Sequence, residues 1–75
     1  MHWLPLESSV LTSTAYDADR QVLHLRFHSG EVDCYFDFPP ADYSRFLKAE
    51  SKGKYFSKHI RDRFPSQRVG FAGSG

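Results

Sequence analysis

Apolar residues recur along this chain with two different periods, and the change of period divides it. From Val22 to His28 the alternation is strict: Leu23, Leu25 and Phe27 share one face, and Val22, His24, Arg26 and His28 share the other. From Glu31 to Phe38 it resumes, with Val32, Cys34, Phe36 and Phe38 set against Asp33, Tyr35 and Asp37. Period two is the mark of a half-buried strand. Ser29-Gly30 lies between the runs, as a two-residue hairpin turn should. That turn pairs Phe27 with Val32, Leu25 with Cys34 and Leu23 with Phe36 on an apolar side. It pairs Arg26 with Asp33, His24 with Tyr35 and Val22 with Asp37 on the other. An earlier Thr-rich run, residues 11–17, ends in the turn cluster Asp17-Ala18-Asp19-Arg20 and predicts a first strand.

Beyond Pro39-Pro40 the period changes. Tyr43, Phe46 and Leu47 fall at i, i+3 and i+4, predicting a helix over about 40–50 with Asp42 in its first turn. Ser51-Lys52-Gly53 interrupts it, with Gly53 expected at positive φ as a left-handed cap. Phe56 and Ile60 then predict a second helix over about 54–63, stopped by Pro65. Residues 64–69 read as irregular or as a short added strand. The expected fold is α+β: a three-stranded antiparallel meander followed by two short helices packed on one face. Residues 1–9 read as a loose arm, 10–69 as a single domain and 70–75 as a flexible tail. Trp3, in the arm, has two roles open to it, docking on the core or contacting a partner.

Composition narrows the function. The chain has 75 residues and a net charge of +1, which excludes a histone-like polycation. The charge is nevertheless uneven. Residues 1–44 carry two bases and seven acids, a balance of −5; residues 45–75 carry eight bases and two acids, a balance of +6. Such asymmetry points to an anionic partner for the basic half, unless the halves neutralise each other in the fold. One cysteine permits neither an internal disulfide nor a cysteine zinc cluster. No run approaches a membrane span, and Met1 to Leu6 is too short for a signal peptide, so a cytoplasmic protein is expected.

Candidate chemistry concentrates in residues 52–61, which are basic with interleaved aromatics. Lys54, Lys58 and Arg61 recur at i, i+4 and i+7 as one stripe able to neutralise phosphates. If Lys54 opens the second helix, its free N–H groups join Lys52 and Lys54 as an anion site. The competing reading is an ordinary solvated helix face. His24 and His28 share a strand face but stand about 13 Å apart, too far for one metal. His59 has no nucleophile at helical or hairpin spacing. Cys34 reads as a buried structural thiol on the apolar side. No catalytic residue, metal or cofactor is expected.

The runs Phe27-His28-Ser29-Gly30, Val32-Asp33-Cys34-Tyr35, Pro39, Tyr43, Ser51-Lys52-Gly53-Lys54-Tyr55-Phe56 and His59-Ile60-Arg61 together resemble the KTSC family. The resemblance covers about residues 8–64. It implies a short bacterial or phage domain that also occurs at the C-terminus of some lysyl-tRNA synthetases, and a binding module, not an enzyme. The synthetase link implies RNA binding. The family's Tyr-x-Tyr motif maps to Asp33-Cys34-Tyr35, with only the second tyrosine present. Ser57 stands where relatives often carry Asn. Paired tyrosines there would resemble a base-stacking platform. The expected contacts are therefore Lys52, Gly53, Lys54, Lys58 and Arg61 for RNA or another phosphate-bearing ligand, with Tyr35 and Tyr55 for stacking. The alternative is a protein-interaction module that uses an exposed strand edge, Trp3 or the face around Tyr35. A monomer or weak homodimer fits either reading.

Overall fold

The hairpin expected around Ser29-Gly30 forms, but its loop is one residue longer than the pattern implies. In the computed structural model, which describes residues 2–71, Gly30 has φ 96° and its N–H donates to the Phe27 carbonyl at 2.9 Å. This is a three-residue loop closed by a glycine in left-handed conformation. Strand β3 (Val22–Phe27) consequently pairs with β4 (Glu31–Tyr35) as Leu23↔Tyr35, His24↔Cys34, Leu25↔Asp33 and Arg26↔Val32. The register slips by one from the expected pairing, and every β4 side chain changes face. Tyr35 and Asp33 point to the helix side, whereas Cys34 and Val32 join His24 and Arg26 on the outer side.

The sheet also has five antiparallel strands rather than three, in the order β1-β2-β3-β4-β5. Strand β2 (Leu11–Asp17) pairs with β3, and their turn is tied by the Asp17 carboxylate, which accepts from the N–H groups of Asp19 and Arg20. The segment expected to be a loose arm supplies β1 (Leu4–Pro5), paired to β2 at Thr14 and Ser13. Strand β5 (Ser66–Phe71) pairs with β4 and carries an extra residue between the Val32 and Asp33 pairings. It takes in Gly70 and Phe71, expected in the flexible tail; residues 72–75 of that tail lie outside the described residues.

Helix α1 (Pro40–Lys48) starts where Pro39-Pro40 predicts and buries Phe46 completely. Phe46, Leu11, Leu23, Leu25, Tyr35, Phe38, Phe56 and Ile60 form one core between the sheet and the helices. Tyr16 crosses its rim, donating its hydroxyl to the Phe38 carbonyl at 2.5 Å.

The second helix departs most from expectation. It begins at Lys52, not Lys54: Ser51 is its cap and accepts from the Lys54 N–H at 3.2 Å. Four residues of α-helix, α2 (Lys52–Tyr55), run directly into a π-helical turn (Phe56–Ile60), closed by the Arg61 N–H donating to the Phe56 carbonyl at 2.8 Å. Gly53 therefore lies inside a helix and is not a positive-φ cap. It is small for a different reason. A Cβ there would stand 3.3 Å from Val10 Cγ2, where the segment before β2 crosses the helix. Gly53→Ala is expected to change stability by less than about 1 kcal/mol, because the helix-propensity gain offsets the tight contact with the half-exposed Val10. Chemical denaturation of the two proteins measures it.

Candidate basic face and its clefts

Of the eight bases after residue 44, two reach a carboxylate. Arg45 binds Asp42 at 2.6 Å, and Arg68 binds Glu31 and, at 2.9 Å, Asp33. Lys48, Lys52, Lys54, Lys58, Arg61 and Arg63 have no carboxylate within 4 Å among the described residues. Among the described residues, direct ion pairing between the halves thus involves Arg45 and Arg68 alone. The acids of the first half lie largely in the sheet and its turns, and the remaining cations line the helical layer.

The sequence-predicted contacts do not form one stripe. Lys54 and Lys58 stand together, both exposed, on the rim of a groove floored by Ser9, Val10 and Gly53. Arg61 leaves them. The π-turn advances more residues per turn than an α-helix, and at Arg61 the chain exits the helix with ψ 129°. Its side chain lines a separate groove with Tyr35, Asp33 and Arg68. Lys52 turns back to donate to the Ala49 carbonyl at 2.5 Å. The free N–H groups of the expected anion site are also reduced, because Ser51 accepts from Lys54 through its hydroxyl and from Tyr55 through its carbonyl. Gly53 packs under the Val10 segment.

The two candidate stacking residues also separate. Tyr35 is buried, 4% exposed, with its ring against Phe56 at 5.8 Å. Burial, and then the negative charge of Asp33, push its hydroxyl far above the ordinary tyrosine range. It is a core residue, not an open platform, and the slipped register is the reason. Tyr55 remains partly exposed, with its ring 4.6 Å from that of His59. Three further groups gather near it that the predicted stripe does not include. Arg45, His59 and Arg63 share with Lys58 and Tyr55 a cleft between α1 and the turn at 61–64. Only folding across that turn, where Asp62 adopts φ 62°, brings Arg63 back beside α1.

On the opposite sheet face, the first residues cover what was expected to lie open. The Trp3 ring sits 4.3 Å from the Arg26 guanidinium carbon and 6.2 Å from the His24 ring. Beneath, Cys34 Sγ lies 3.0 Å from His24 Nδ1. Cys34 is buried as expected, but opposite His24 rather than Leu25. Burial and then the charge of Asp33 push the thiol's pKa up, the opposite of what activates a nucleophile. Burial likewise lowers the pKa of His24, while Asp17 opposes this more weakly. The folded state then binds fewer protons here than the unfolded state. The stabilising contribution is complete above the unfolded value of about 6.5 and is lost as pH falls from there through the lower folded value. Urea midpoints at pH 7.5 and 5.5, both about a unit from that value, should differ more for the parent than for His24→Gln.

Fold and surface together define a small α+β domain with a covered sheet and a basic helical layer. The KTSC domain model matches residues 7–64, and the chain belongs to that family. A protein of Tsukamurella paurometabola is 37% identical over 60 residues, covering 80% of this chain and 90% of its own. The lysine–tRNA ligase of Nostoc punctiforme is 35% identical over 63 residues, 84% of this chain. This chain spans 11% of that ligase's length. The crystal structure of a KTSC domain protein from Yersinia pestis superposes with a TM-score of 0.89 at 29% identity, covering 92% of this chain and 97% of the other. No helix among the described residues is long and apolar enough to cross a membrane.

Proposed function

We propose that this domain is a non-enzymatic RNA-binding module whose helical layer contacts phosphates through Lys54 and Lys58. The observation that carries this reading is the run of helical-layer cations without carboxylate partners. An ordinary solvated face disperses its charges among both signs, whereas this one leaves same-sign charges adjacent at a cost in mutual repulsion. An anionic chain relieves that repulsion and releases counterions. The occurrence of the same domain within lysine–tRNA ligases, whose name makes tRNA a substrate, supports RNA over other polyanions.

The other reading, a protein partner on a strand edge, has β5 as its candidate surface, with Val69 54% exposed. The extra residue in β5 and Gly70 at φ 155° interrupt that edge. Such bulges discourage strand addition, so the basic face is preferred.

Fluorescence anisotropy on a labelled single-stranded RNA pool tests the assignment. Binding should weaken steeply between about 50 and 200 mM salt. Lys54→Glu with Lys58→Glu should lower affinity at least about tenfold and reduce the salt slope by about 1.4, roughly 0.7 per lost single-strand phosphate contact. Both side chains are exposed, so the melting curve should stay close to that of the parent. Absence of binding at low salt, or equal binding by the double variant, moves the assignment to a protein partner.

A further inference from the structure

The cleft between α1 and the turn at 61–64 has a composition that the phosphate contacts of Lys54 do not require. Its volume is about 480 Å³, within the range of small-molecule sites. Its base is aromatic: Phe38 is fully buried, and the Phe64 ring packs on it edge-on at 4.7 Å. Tyr55 and His59 form one wall with rings 4.6 Å apart, and both keep surface open to the cleft. Lys58, Arg63 and Arg45 ring the mouth. The acid in the cleft, Asp42, is held at one oxygen, Oδ1, by Arg45 at 2.6 Å.

Each part matches one part of a nucleotide. A planar base stacks on exposed aromatic rings. A phosphate meets Lys58 and Arg63, which have no carboxylate within 4 Å among the described residues. Asp42 keeps its second oxygen as an acceptor for an N–H on the base edge. An apolar ligand would leave two unpaired cations, Lys58 and Arg63, facing it, and inorganic phosphate would leave the aromatic wall unused. We propose that this cleft holds one nucleotide unit, its base against Tyr55 and Phe64 and its phosphate on Lys58 and Arg63. The inference deepens the RNA reading and rests on it only where the unit belongs to a strand; a free mononucleotide is the other source of the same chemistry.

Titration of the ¹⁵N-labelled chain, followed by amide chemical shifts, tests it with four probes: adenosine 5′-monophosphate, adenosine, inorganic phosphate and a short single-stranded RNA. The monophosphate should shift residues 55–64 and 42–45. Adenosine and phosphate should each bind about tenfold more weakly, because each keeps half of the recognition. Arg63→Glu, an exposed substitution whose own spectrum reports its folding, should remove the monophosphate response. Phosphate matching the monophosphate, no monophosphate response, or a response unaffected by Arg63→Glu would overturn the assignment. The RNA arm separates the two readings. RNA that binds, is sensitive to the Lys54 and Lys58 reversals, and leaves His59 and Phe64 unmoved removes the cleft and keeps the RNA module. Monophosphate in the cleft without RNA binding keeps the cleft, names free nucleotide as its source, and removes the RNA module.

Discussion

Leu25→Asp should leave the protein unfolded at room temperature, with no cooperative thermal transition by circular dichroism. Leu25 is fully buried at the centre of β3, and its neighbour across the strand pair is Asp33. A carboxylate at position 25 would enter the core next to an existing one. The Asp33 charge is matched by Arg68 at the open groove above, whereas position 25 is fully buried, so the newcomer would add repulsion without a cation in the core beside it. An unpaired buried charge costs several kcal/mol, comparable with the whole stability of a domain this small. Arg26→Ala, one residue away, supplies the contrast. Arg26 lies on the outer face beneath Trp3, so its loss removes a cation–π contact worth about 0.5–2 kcal/mol. That variant should fold with a lowered melting temperature. If the two variants melt alike, Leu25 and Arg26 do not face opposite sides of β3.

The same strand pair shows what the chain discloses locally and what it conceals. The alternation in residues 22–28 identified β3 and the face it buries, because Leu23 and Leu25 need only their own strand to declare a side. The register of β4 was not legible. Ser29-Gly30 is compatible with a two-residue turn or, with His28, a three-residue loop, and the shorter turn is the one under which apolar residues face apolar ones. Facing Leu25 with Cys34 kept Asp33 off the apolar side. In the fold Asp33 occupies that side because Arg68, 35 residues later, reaches it. No local pattern announces a partner at that distance. Strand β1 was hidden for a related reason: two residues, one of them proline, carry no alternation to detect.

The basic segment was legible as charge but not as geometry. Spacing of i, i+4 and i+7 makes a single face only if the helix is α throughout. The π-turn over Phe56–Ile60 changes the residues per turn at the middle of the stripe, so Lys58 stays with Lys54 while Arg61 turns into a different groove. Arg63 and Arg45 are 18 positions apart in the chain and meet only through the tertiary turn, so a stripe search does not connect them.

Phe56→Ala should be the most damaging single truncation in the helical layer, costing about 3–5 kcal/mol in chemical denaturation. The Phe56 ring stands edge-on to Phe27 at 5.4 Å and to Tyr35 at 5.8 Å, so it fastens the helical layer to β3 and β4 together. It is also the first residue of the π-turn and carries the carbonyl that accepts from Arg61. Alanine would open a cavity beneath the place where α2 meets that turn, and the wider turn geometry is tolerated only where packing enforces it. Two consequences should therefore appear together. Stability falls, and the relative placement of Lys54, Lys58 and Arg61 relaxes even in the molecules that remain folded. Phe56→Leu, which keeps most of the volume, should recover the larger part of the stability. Amide exchange at Lys58, His59 and Ile60 reads the second effect. Their protection should collapse in Phe56→Ala by more than the global stability loss predicts. A uniform loss across the sheet and both helices would show instead that Phe56 contributes volume alone and does not hold the turn.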